Sequence, residues 1–84
     1  MVAIIPMHDT DYTVPRMTPR EREVLRSLCD GLSNKEIARE LGIEDVTVRL
    51  HLRGVYRKLG VNNRAHAVST ALSIGIVLIA TPNN

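Results

Sequence analysis

From Thr18 onward, apolar residues fall into four short helical stripes set off by capping residues and glycines. Thr18-Pro19-Arg20-Glu21 combines a hydroxyl, a proline at the first helical position and a glutamate three residues past the cap. Together these satisfy the free amides of a helix start. Val24, Leu25, Leu28 and Cys29 then supply an apolar face, and Gly31 ends the helix. Ser33-Asn34-Lys35-Glu36 repeats the capping-box spacing and opens a second helix with Ile37, Ala38 and Leu41 turned inward. Gly42 follows where a helix stop wants a residue tolerant of positive φ, so a third helix can begin two or three residues later. Two helices joined by so short a turn, with the small Ala38 where they approach, make a helix-turn-helix arrangement; an ordinary αα-corner has the same local pattern.

On the third helix each residue turns by about 100°. Val48, Leu52, Val55 and Leu59 recur at helical spacing and form one core stripe. Counted from Val48, Arg49, Arg53 and Arg57 lie at about 100°, 140° and 180°, Val46 near 160° and Leu50 near 200°. The arginines and Leu50 therefore share the face turned away from the core. A solvated face has no use for Leu50 or Val46. A DNA major groove does, because thymine methyls accept aliphatic contacts beside the bidentate bonds of arginine to guanine. Gly54 is expected on this outer face as well, at a helix-propensity cost of roughly 1 kcal/mol, and His51 at the half-buried edge of the core stripe. Asn63 caps a fourth helix from Arg64 to about Gly75 with two apolar faces, Ala67, Ala71 and Ile74 on one, Val68, Leu72 and Ile76 on the other. One small domain buries only one of them fully. The other is a surface for pairing with a second copy, or for the arm Val2 to Ile5 to cover.

Composition narrows the function classes. At 84 residues the chain has room for one small core and no second lobe. Tyr12 and Tyr56 are its whole aromatic complement, which argues against a stacking platform for single-stranded nucleic acid. The lone Cys29 forms no internal disulfide, and with His8, His51 and His66 scattered along the chain it makes no metal site; a reducing, cytoplasmic setting is the simpler reading. Cys29 itself reads as a small apolar residue of the first helix rather than a redox switch. The longest apolar run, Ile74 to Ala80, is far short of the roughly 20 residues of a membrane span. No carboxylate pair, nucleophile with base, or glycine-rich phosphate loop marks an enzyme, and no cofactor is implied.

Charge is uneven. Residues 1–45 hold all nine acids against six Lys and Arg, a balance of −3, whereas residues 46–84 hold five cations and no acid. A cation-only segment that contains a helix suits a phosphate-backbone binder, although a solvated basic face has the same composition.

The runs TPREREVLRSLCDGLSNKEIARELGI and TVRLHLRGVYRKLGVNNR closely resemble the LuxR/GerE-type helix-turn-helix domain of bacterial transcription regulators, from about Thr18 to Ile76. AVSTALSIGI is similar to the last helix of response-regulator output domains in that family. The resemblance implies an all-α, four-helix domain over residues 18–80, behind an irregular N-terminal arm or linker over 1–17 and ahead of a tail over 81–84. It implies a homodimer on double-stranded DNA with two half-sites, third helix in the major groove and fourth helices paired. Carried over residue by residue, Arg49, Leu50 and Arg53 match the base-reading positions, and Asn34, Lys35, Thr47, Arg57 and Lys58 match positions that commonly hold phosphates. Ala67, Val68, Ala71 and Leu72 are the expected pairing residues.

Two departures stand out. Glu44 occupies the position where the family usually has serine as the cap of the third helix, and Val46 a position usually polar, often lysine. Both bear on which DNA sequence is read. Two other readings stay open at this point: promoter recognition in the manner of sigma-factor region 4, which shares the REREVL and SNKEIA pattern, and an antagonist that pairs with another regulator without touching DNA. A contact with RNA polymerase is also open, as is whether the chain is a free-standing regulator of the short GerE kind or an output domain beginning with linker residues.

Overall fold

Two reciprocal caps start the fold. The computed structural model describes residues 16–75, in which the Glu21 amide donates to Thr18 Oγ1 at 3.1 Å and the Thr18 amide to Glu21 Oε1 at 3.0 Å. Helix α1, Pro19–Cys29, begins there. Ser33 and Glu36 repeat the exchange at 3.1 and 2.8 Å to open α2, Asn34–Leu41. Helix α3 runs Asp45–Leu59 and α4 Arg64–Ile74, the latter capped by Asn63 Oδ1, which accepts from the His66 amide at 2.8 Å. A good cap is worth about 1 kcal/mol, so these sites fix where the helices begin without deciding how they pack. The expected all-α, four-helix architecture is what the described residues adopt, with no strand among them.

The stops follow one pattern. The amides of Leu32, Ile43 and Val61 donate to the carbonyls of Ser27, Ala38 and Tyr56, five residues back. Each of these aliphatics follows a glycine. At Gly42 and Gly60 the backbone is left-handed, with φ of 68° and 70°, a conformation in which a side chain would be strained. The aliphatic then folds back onto the core: Val61 is buried, and Leu32 and Ile43 lie against the core half-buried. These are Schellman closures, which turn the chain sharply while giving the last carbonyls of the helix a donor.

Packing centres on α3, which lies against both α1 and α2. Val24, Leu25 and Leu28 of α1, Ile37 of α2, and Val48 and Val55 of α3 are fully or almost fully buried. Each contributes roughly 1.5–3 kcal/mol of transfer free energy, so this cluster outweighs any cap or surface pair. Helix α4 closes the core with Ala67 and Ala71, both without exposed surface. Alanine lets its backbone approach closely.

Three expectations change here. Met17, assigned to the arm, is buried at 6% exposure and belongs to the core, so the folded unit starts ahead of its first cap. Ala67 and Ala71 are spent inside the protomer, which leaves only Val68 and Leu72 of the expected pairing residues with surface. Gly54 is not on the outer face: it is buried against α1, where a Cβ would lie 2.6 Å from Glu21 Oε2. Residues 1–15 of the arm, Ile76 and the tail over 81–84 lie outside the described residues.

Glu21 is the fastening between α1 and α3. Besides closing the cap, its Oε1 accepts from Lys58 Nζ at 2.7 Å, while its Oε2 rests on Gly54. Lys58 beside it, helped by the Thr18 amide, holds the carboxyl below its usual range against the opposing effect of burial. A carboxyl depressed in the folded state stabilises above its unfolded pKa, and that share is lost as pH falls through the folded value. A second fastening, Ser27 Oγ donating to Glu40 Oε1 at 2.9 Å, joins α1 to α2.

Candidate nucleic-acid interface

The outer face of α3 carries charge beside aliphatic surface. Arg49, Arg53 and Arg57 are exposed, and Leu50 and Val46 stand 56% and 52% exposed beside them. The core stripe predicted from Val48, Leu52 and Val55 is buried on the opposite side, with Leu59 half-buried against it. Among the described residues the ion pairs are Arg20 with Glu23 and Lys58 with Glu21, so the three arginines take part in none. Guanidinium groups keep their charge at any ordinary pH and present five donors in a rigid fork. An exposed row of them, unneutralised and interrupted by an aliphatic, is arranged to meet anionic and methyl-bearing surface together.

The surrounding elements supply further donors. Lys35 is exposed and Asn34 half-buried at the start of α2; Thr47 is half-buried in the first turn of α3. Lys58 stands apart from this group. Its ammonium is held on Glu21, and while that bridge stands it adds no free charge to the outer face. The first turn of α3 is less firmly held than the other helix starts. Glu44 makes no side-chain cap, and Asp45 Oδ1 is buried without a hydrogen-bond partner among the described residues.

Sequence reasoning passed over Arg64. Its Nη1 donates to Asn34 Oδ1 at 3.2 Å and its Nη2 to the Leu32 carbonyl, tying the start of α4 to the start of α2. A shallow cleft is lined by Asn34, Arg49, Leu52, Arg53, Tyr56 and Arg64. No local pattern announces this, because Arg64 and Asn34 lie 30 positions apart.

No three His, Cys, Asp or Glu of the described residues could hold a metal, and no helix among them is long and apolar enough to cross a membrane. Cys29 is half-buried against the core, and burial pushes its thiol up, with Asp30 adding to the effect. A thiol so shifted is a poor nucleophile.

The geometry is that of a helix-turn-helix unit, and the family model for bacterial regulatory proteins of the luxR family matches residues 15–71. The chain belongs to the luxR family. Over 58 residues it is 50% identical to the probable transcriptional regulatory protein SgaR of Hyphomicrobium methylovorum, covering 69% of this chain and 28% of that protein. Over 64 residues it is 41% identical to the transcriptional regulatory protein YdfI of Bacillus subtilis (strain 168), covering 76% of this chain and 30% of that one. The chain thus spans less than a third of the length of these relatives. Among solved structures, the transcription factor GerE is similar with a TM-score of 0.69 and 36% identity, covering 76% of this chain and 96% of GerE. The response regulator ChrA of a heme-sensing two-component system matches with a TM-score of 0.71 and 34% identity, over 92% of this chain and 40% of that one. The luxR family is one of DNA-binding transcription regulators and not of enzymes. Its match continues through most of α4, so the fourth helix is part of the shared unit.

Proposed function

We propose that the chain regulates transcription in the bacterial cytoplasm by sequence-specific binding of duplex DNA as a dimer, with α3 in the major groove. Arg49, Leu50 and Arg53 read base edges. Asn34, Lys35, Thr47 and Arg57 hold phosphates on either side, and Lys58 acts through Glu21 to hold α3 in place. The observation that carries this reading is Leu50, 56% exposed between arginines that pair with no acid among the described residues. Exposed aliphatic surface costs free energy in water and is recovered against thymine methyls. The second copy joins through Val68 and Leu72, the part of α4 that the protomer leaves at its surface. Two third helices then fall in successive major grooves, with half-site centres about 10 bp apart.

Selection from a random duplex library tests the reading. Wild-type protein should return a two-half-site motif, and Arg53→Ala should bind that motif about 1–3 kcal/mol more weakly with a relaxed preference at one base pair per half-site. A selection that returns no motif, or an Arg53→Ala protein with unaltered preference, would remove α3 from the role of reader.

A further inference from the structure

The cleft between the starts of α2 and α4 and the flank of α3 borders the base-reading Arg49 and Arg53 and adds a third arginine that base reading does not use. Arg49 and Arg53 come from α3, Arg64 from α4. Like charges brought to one depression repel, and something must hold Arg64 there. Two hydrogen bonds do so, and both acceptors are neutral, the Asn34 amide oxygen and the Leu32 peptide carbonyl. The contrast with Lys58 is direct: Glu21 cancels the ammonium charge, whereas no acid among the described residues pairs with Arg64. Two of the five guanidinium donors are used, and the others stay available. The same contact sets Asn34. The bond to Arg64 fixes which end of the Asn34 amide is the oxygen, and both N–H bonds of its Nδ2 are then free to donate to an acceptor.

We infer that this cleft is a phosphodiester site, in which Arg64 both contacts a DNA backbone phosphate and orients Asn34 toward it. The inference deepens the proposed DNA-binding function and rests on it. A phosphate here bridges α2, α3 and α4 at once, so it fixes the approach of the whole domain to the duplex and carries no base information. Arg64 thus supplies affinity without sequence preference.

Single methylphosphonate substitutions along a cognate duplex neutralise one phosphate at a time. Wild-type protein should lose affinity when the phosphate seated in the cleft is neutralised, and Arg64→Gln should be indifferent at that one position while keeping the wild-type profile elsewhere. Its slope of log K against log salt should fall by about 0.9 per protomer, with equal loss on cognate and unrelated duplexes. A purely structural role would lower the melting temperature and leave the methylphosphonate profile unchanged; that result, or a change of base preference, overturns the inference. Should Arg64→Gln not fold, the wild-type chain answers alone. The Arg64 Nε–Hε resonance should shift on titration with an unrelated duplex, and an unmoved resonance overturns the site. Inorganic phosphate at matched ionic strength is the second arm: saturation below the concentrations at which duplex acts would assign the cleft to a free anion and overturn the backbone assignment. Failure of wild-type protein to bind any duplex selectively would instead refute the proposed function, a different result from selective binding with Arg64 silent.

Discussion

Gly54 and Lys58 stand one helical turn apart on α3, and both answer to the same carboxylate. Alanine is ordinarily better than glycine inside a helix by roughly 1 kcal/mol. Here its methyl would meet Glu21 Oε2 at 2.6 Å, and the carboxylate can retreat only by loosening its bonds to Lys58 and the Thr18 amide. A hydrogen bond to a charged group is worth about 1.5–3 kcal/mol, which exceeds the helix gain. Gly54→Ala should therefore destabilise by roughly 1 kcal/mol in urea unfolding, but stabilise by a similar amount when Glu21 is also alanine. The same effect in both backgrounds would show that Glu21 does not set the requirement. Neither residue's role could be read from the chain. A helical wheel places Gly54 at about 240° from Val48, next to Leu50 on the outer face and about 100° from the nearest core residue. Its burial comes from a long side chain of another helix, and a wheel contains no neighbours. Leu50 is the opposite case, since exposure of one face follows from the angle alone.

The helices themselves were largely legible. Caps are local chemistry: Thr18 with Glu21 and Ser33 with Glu36 mark their helix starts without reference to the rest of the fold. Met17 was not legible, because a single apolar residue ahead of a cap has no period. The two apolar faces of α4 also look alike in sequence. Packing chooses Ala67 and Ala71 because their small side chains let α4 come close to the other helices, and Leu72 is left 44% exposed. The uncapped start of α3 makes a prediction at this scale. Glu44 already has the extended backbone of a cap but makes no side-chain bond. Glu44→Ser should supply the missing acceptor and raise stability by about 0.5–1 kcal/mol in a thermal or urea melt. No gain would mean that the first turn is already satisfied by water.

For the molecule as a whole, the uneven charge of the sequence resolves into two uses. Of the five cations after residue 45, Lys58 is spent on the protein, and Arg49, Arg53, Arg57 and Arg64 remain without an acidic partner among the described residues. The division was invisible in sequence because Glu21 and Lys58 are 37 positions apart. Pairing of protomers belongs to this scale too. A charge at Leu72, 44% exposed although it adjoins the buried Ala71, should leave the fold intact. Leu72→Glu is expected to sediment as a monomer at concentrations where wild type sediments as a dimer, with its circular dichroism unchanged. It should also bind a two-half-site duplex no better than a single half-site. Equal masses for the two proteins would exclude this face of α4 as the contact.

The turn from α2 to α3 is only Gly42, Ile43 and Glu44, with Ile43 stitched back to Ala38. Such a joint has no slack. Adding or deleting one residue there would spin the following helix by about 100°, carrying its arginine row off the proposed DNA-facing side and its valines into water. If α3 reads DNA as proposed, descendants of this chain are thus free to change what they read by exchanging letters along α3, but not by changing the spacing ahead of it.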